Sequence, residues 1–139
     1  MKNLIKKLLP FKYKRSVKEQ LGVPSLHWSL QNLKRKDFYP ASVLDIGAYE
    51  GLWTMDLLEV FPNAKVLMVE AQKNKEPFLQ AIKEKYQHVD YAISLLSSED
   101  GAVKFFEQNE TASHVVNGRQ PGINYQQLKT QSLDNLLEA

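Results

Sequence analysis

Between Pro24 and Pro40, Leu26, Leu30 and Leu33 recur at helical spacing, Trp28 joins them, and Ser25 is placed to cap the segment. The spacing predicts an amphipathic helix over 25–36 lying against the core. The next run, Ser42-Val43-Leu44-Asp45-Ile46, reads as a short strand that runs into Gly47-Ala48-Tyr49-Glu50-Gly51. Trp53, Leu57, Leu58 and Phe61 then return to helical spacing until Pro62-Asn63. Val66-Leu67-Met68-Val69 is a continuous apolar strand closed by Glu70. Residues 74–86 predict a helix with Phe78, Ile82 and Tyr86 as its apolar stripe. Val89–Leu96 predicts a third strand, Val103–Phe106 a fourth and Gln127–Thr130 another, with a loop-like stretch over 107–125. Ser132-Leu133-Asp134 opens a last helix, with Asp134 as an acid at its start.

Strand and helix alternate, and the first two strands are almost wholly apolar. That pattern belongs to parallel strands covered by helices, so the predicted fold is α/β, a partial doubly wound, Rossmann-like sheet.

The first 24 residues change the picture. Leu4, Ile5, Leu8 and Leu9 fall on one side of a short helix that Pro10 stops. Residues 1–18 carry seven basic side chains and no acid, and residues 1–40 carry ten Lys/Arg against two acids. Residues 41–139 reverse the balance, with eight Lys/Arg against fourteen acids. A basic N-terminal extension, 1–24, therefore precedes an acidic body, 25–139. The extension suits a solvated or docked segment, or weak contact with an anionic membrane surface. The body gives no electrostatic reason to bind nucleic acid.

The chain of 139 residues has room for one domain. No stretch reaches the roughly 18 apolar residues of a membrane span. Cysteine is absent, which excludes disulfide scaffolds, zinc–thiolate sites and thiol nucleophiles and fits a reducing, cytoplasmic compartment. No metal-binding motif is legible, and His27 reads as a structural or exposed residue of the first helix.

The chemistry concentrates at Asp45–Gly51, a glycine loop between a strand end and a helix start. Ligands of open α/β sheets bind there. Gly47 lets a ligand lie against bare backbone, Ala48 and Tyr49 continue the loop, and Gly51 allows the helix start to pack close to the sheet. Asp45, at the base of the turn, can order the loop or meet an ammonium group through water. Glu70 lies about 20 residues downstream at the tip of the second strand, where an acid accepts hydrogen bonds from ribose hydroxyls. The two signals together predict a nucleoside-containing cofactor. The glycines are not spaced G-x-G-x-x-G, and Tyr49 would crowd a pyrophosphate, so a nicotinamide dinucleotide is disfavoured. The D-x-G-x-x-x-G spacing suits S-adenosylmethionine. Thr54, one helical turn on, is placed to face such a cofactor, and Leu96 and Ser97 fall where adenine would rest. His88 and His114 have no partner readable from sequence.

From about Trp28 onward the chain resembles the FkbM-type S-adenosylmethionine-dependent methyltransferases. The matching pieces are Val43–Thr54, Val69-Glu70-Ala71-Gln72, Leu95–Ser98 with Val103–Phe106, and Leu128–Leu137. Ala71 stands where many members have proline, which leaves the acid's role intact. The loop Asn109–His114 is similar to one that covers the cofactor or touches substrate in relatives. The resemblance implies strand order 3-2-1 with flanking helices, S-adenosylmethionine as cofactor, and O-methylation of a hydroxyl on a small molecule or cell-surface sugar. It names no catalytic base here. It also implies that 25–139 is a partial methyltransferase domain, because the family's next strand, with an acidic motif beside the first strand, has no counterpart before Ala139. On that reading Val43–Ile46 becomes an unpaired edge, and the chain is expected to be marginally folded, aggregation-prone or dependent on a partner. The rival expectation is a non-catalytic nucleoside-binding module or an inactive remnant.

Overall fold

The computed structural model describes residues 25–106, 114–115 and 126–138. The N-terminal segment with Leu4–Leu9, the loop Asn109–Ser113 and most of 107–125 lie outside the described residues.

Helix α1 spans Leu26–Arg35, one residue inside the predicted limits at each end. Ser25 is extended at its N-cap, and its Oγ accepts from Trp28 N–H at 3.1 Å. Leu30 is the buried contact of α1, while Leu26, Trp28 and Leu33 stay partly exposed. Strand β1, Ser42–Ile46, leads to α2, Leu52–Val60, and then to β2, Lys65–Glu70. A 3-10 turn at Lys73–Lys75 precedes α3, Glu76–Lys85, and β3 follows at Val89–Ile93. β1 pairs with β2 and β2 with β3, both in parallel, so the sheet order is β1-β2-β3. This is the α/β arrangement the alternation predicts, with strands in order 3-2-1.

The buried residues of α2 and α3 share one core cluster on one face of this sheet: Leu57, Leu58 and Val60 join Leu79 and Ile82 over Val66, Met68 and Val89. The predicted stripe of α3 needs one correction. Phe78 is 49% exposed, and Leu79, fully buried, takes its place beside Ile82. Both positions satisfy a helical repeat with Ile82, and the direction of the sheet chooses between them. The opposite face of the sheet is open at its edge. β1 has no second strand partner among the described residues, and Leu44 and Ile46 are 39% and 58% exposed.

The predicted third strand is divided. Ser94 N–H still donates to Glu70 O at 2.9 Å, but β2 ends there. Leu95–Leu96, β4, therefore takes a new parallel partner, β7 at Gln126–Gln131. β7 also pairs antiparallel with β5, Gly101–Phe106, which pairs with β6, His114–Val115. The second sheet thus runs β4-β7-β5-β6. A final helix, α4, spans Leu133–Glu138, with Ser132 Oγ accepting from Asn135 N–H at 3.2 Å. None of the described helices is long and apolar enough to cross a membrane.

Candidate functional site

The carboxyl ends of β1, β2 and β3 meet at a cavity of about 480 Å³, within the roughly 300–1,000 Å³ usual for small-molecule sites. Ile46 contributes from the end of β1, and Gly47 and Tyr49 from the loop after it. Val69, Glu70, Ala71 and Gln72 contribute from the end of β2, and Ser94, Leu95 and Leu96 from the crossover between sheets. Phe105 of β5 closes the apolar side. A wider depression of about 910 Å³ lies at the other half of the same strands, around Leu44, Leu67 and Leu137. The turn Gln87–His88 and Lys83 of α3 also line it, and it lies away from the glycine loop and Glu70.

The loop is anchored to β2 at its base. Gly47 N–H and Ala48 N–H both donate to Val69 O, at 2.8 and 3.1 Å. Gly47 takes φ +77°, and a Cβ built there meets nothing within 4 Å, so bare backbone borders open space. Gly51 also has positive φ, +71°, for a different reason. A Cβ there would collide with Ile82 Cδ1 and sit 3.2 Å from Met68 Sδ. Gly47 leaves room for a ligand, whereas Gly51 lets α2 approach α3 and β2.

Between the two glycines, Tyr49 adopts φ +52°, a left-handed conformation that costs a non-glycine residue about 1–3 kcal/mol. Two contacts hold it. Its N–H donates to Glu70 Oε2 at 2.7 Å. Lys75 Nζ stands 3.8 Å above its ring, and the same ammonium bonds Glu50 Oε1 at 2.9 Å. Contact with Tyr49, and then with Glu50, holds the Lys75 ammonium above its usual range. The 3-10 turn after β2 therefore grips the loop after β1 from the side.

Glu70 is the centre of the arrangement. Its carboxylate is buried, with Oε2 on Tyr49 N–H and Oε1 on Gln72 N–H at 2.9 Å. Each oxygen retains a second lone pair. Asp45 is buried beneath the loop and accepts from Thr54 Oγ1 at 2.6 Å. Burial pushes the Asp45 carboxyl up, the Thr54 hydrogen bond opposes this, and the nearby Glu70 charge adds a small upward push.

Of the residues singled out from sequence, Gly47, Tyr49, Glu70, Ala71 and Leu96 line the cavity. Asp45, Ala48 and Gly51 stand behind them as the loop's supports. Ser97 is exposed and joins β7 through its N–H to Gln131 O at 3.1 Å. Thr54 requires a correction: it is fully buried and holds Asp45, so it does not face the cavity. His88 sits beside β3 at the opposite end of the sheet, among the residues of the larger depression. Ile46, Val69, Gln72, Ser94, Leu95 and Phe105 were not singled out. Ile46, Val69 and Gln72 adjoin flagged residues and were legible by proximity, whereas Phe105 arrives through the pairing of β5 with β7.

No protein-family model matches the chain, and no curated protein matches it. Partial matches among solved structures include a coclaurine N-methyltransferase bound to N-methylheliamine and SAH, at 18% identity and TM-score 0.40, covering 48% of this chain and 21% of that one. Another is a precorrin-6y C5,15-methyltransferase from Geobacter metallireducens GS-15, at 17% identity and TM-score 0.39, covering 48% of this chain and 36% of that one. The matched part spans well under half of either structure.

Proposed function

We propose that the cavity binds S-adenosylmethionine and that residues 25–139 form the cofactor-binding part of an FkbM-type methyltransferase. One observation carries this reading: a backbone loop open at Gly47 converges with a carboxylate, Glu70, at the carboxyl ends of parallel strands. The residues fit such a ligand. Open backbone at Gly47 offers room for the amino-acid moiety, the remaining lone pairs of Glu70 offer acceptors for ribose hydroxyls, and Leu95, Leu96 and Phe105 offer an apolar wall for adenine. When bound, the cofactor supplies an electrophilic methyl group on a sulfonium. The chain's own task is to hold that group in place beside a hydroxyl of a small molecule or sugar.

The second reading, a nucleoside-binding module without catalysis, is favoured by a specific observation. Among the described residues the cavity lining holds one carboxylate, already occupied in bracing the loop, and no histidine, aspartate or lysine to act as base. Calorimetry with S-adenosylmethionine, S-adenosylhomocysteine and NAD tests the binding claim common to both readings. The first two should bind and NAD should not. Glu70→Gln should keep the loop's shape better than Glu70→Ala and still weaken nucleoside binding at least about tenfold, the loss of one charge-assisted hydrogen bond. Unchanged affinity in Glu70→Gln removes the ribose assignment. Methyl transfer to added hydroxyl acceptors then separates enzyme from module.

A further inference from the structure

Away from the loop, α1 and α2 meet at another group of polar side chains. His27 lies in the first turn of α1. Asp56 and Glu59 are three residues apart on α2 and so share one side of that helix. One ligand-type atom from each of the three lies within 4.8 Å of the others. His27 Nδ1 is 3.8 Å from Glu59 Oε2, too far for a hydrogen bond. It is nevertheless inside the span of two metal–ligand bonds of about 2.1 Å each. That nitrogen is shut away from water and has no hydrogen-bond partner.

The other ring nitrogen explains how Nδ1 can become a ligand. His27 Nε2 lies 2.9 Å from the Gln31 side-chain amide, one turn along α1. With the amide NH₂ toward the ring, Nε2 accepts and the proton resides on Nδ1. With the amide turned over, Gln31 Oε1 accepts from Nε2–H, and Nδ1 presents its lone pair to the carboxylates. A hydrogen-bond acceptor on the far side of a ligating histidine fixes its tautomer, and Gln31 Oε1 is placed to serve as one.

We propose that His27, Asp56 and Glu59 bind a zinc-type divalent cation that clamps α1 to α2, with Gln31 fixing the tautomer of His27. One imidazole nitrogen with two carboxylate oxygens suits Zn²⁺ better than Mg²⁺, which prefers an all-oxygen octahedron. Asp56 and Glu59 also engage other groups of the chain, so the cation competes with those contacts and binds with moderate affinity. The clamp reinforces a direct tie between the same two helices, Lys34 Nζ to Val60 O at 3.0 Å.

The test is calorimetric titration of the chelator-stripped, full-length chain with ZnCl₂ and, in parallel, MgCl₂. The expected result is one Zn²⁺ per chain, with Mg²⁺ at least about tenfold weaker. His27→Gln and Asp56→Asn should each weaken Zn²⁺ binding at least about tenfold, and Gln31→Leu by a similar factor through loss of ring support. Glu59→Gln, at a largely exposed side chain, should show the same loss with the circular dichroism spectrum unchanged, which keeps the test valid if the His27 variant unfolds. His88→Gln and His114→Gln should leave affinity as it was. The proposal is overturned if the wild-type chain shows no saturable Zn²⁺ binding, if binding survives in folded His27→Gln and Glu59→Gln chains, or if it disappears in either control.

Discussion

The parallel sheet β1-β2-β3 and the mixed sheet β4-β7-β5-β6 solve the problem of burial differently. In the first, helical crossovers return over one face of the sheet, so Met68 and Leu79 are fully removed from solvent and Val66, Leu57 and Val89 nearly so. In the second, the antiparallel pairs β5–β6 and β5–β7 satisfy backbone groups, with no connecting helix among the described residues. Its buried side chains among the described residues are Phe105 and Thr130, while Gln126, Gln127 and Lys129 face solvent. The lesson is that hydrogen bonding alone does not build a core, and that connection type decides where one forms. The cavity lies at the join, lined by the ends of β1 and β2 on one side and by Phe105 on the other.

Core truncations should show the contrast most strongly. Leu79→Ala and Met68→Ala should each cost about 2–5 kcal/mol in urea unfolding. Leu128→Ala, half-buried in β7, should cost less than about 1.5 kcal/mol. Equal losses would break the comparison. The two loop glycines come next. Gly51→Ala combines left-handed strain with overpacking against Ile82 and should lose about 2–4 kcal/mol. Gly47→Ala meets open space and should lose only the strain, about 1–2 kcal/mol, while narrowing the cavity. A larger loss at Gly47 would mean that its surroundings, too, are packed.

Asp45→Asn sharpens the picture through pH. Burial raises the Asp45 carboxyl above 3.8, so the folded chain holds this proton more tightly than the unfolded chain does. The stability it contributes is fully present below pH 3.8 and is lost as pH rises through the raised value. Melting temperatures measured across pH should show Asp45→Asn gaining on the parent chain as pH rises from acid to neutral. A constant difference would contradict the assigned cause. The smallest effect is expected at Lys83 and Asp90, paired at 2.6 Å but with side chains 48% and 61% exposed. Lys83 lowers the Asp90 pKa, yet water screens the pair, and Lys83→Ala should leave the melting temperature unchanged at physiological salt.

Much of the candidate site was legible because its signals are local. A strand ending in Asp45-Ile46-Gly47, an acid at the end of the next apolar run, and Gly51 before a helix can each be read without knowing any neighbour. The readings that failed depended on neighbours. Thr54 shares a helix with Trp53 and Leu57, and only the approach of β1 turns its hydroxyl toward Asp45. Phe78 and Leu79 fit the same repeat equally well. Val89–Leu96 reads as one strand, and Ser94 interrupts its apolar residues no more than Asp90 does, so the pattern does not mark where the pairing partner changes.

By itself, then, the order of residues determined the alternation of strands and helices from α1 to β3, the glycine loop, and the acid at the tip of β2, because hydrophobic period and turn chemistry act over a few residues. Tertiary structure decided that Glu70 braces Tyr49 and Gln72, that Lys75 grips the loop, and that His27 meets Asp56 and Glu59. Those are contacts between separate elements, and their energies depend on distance and burial that no single stretch of chain specifies.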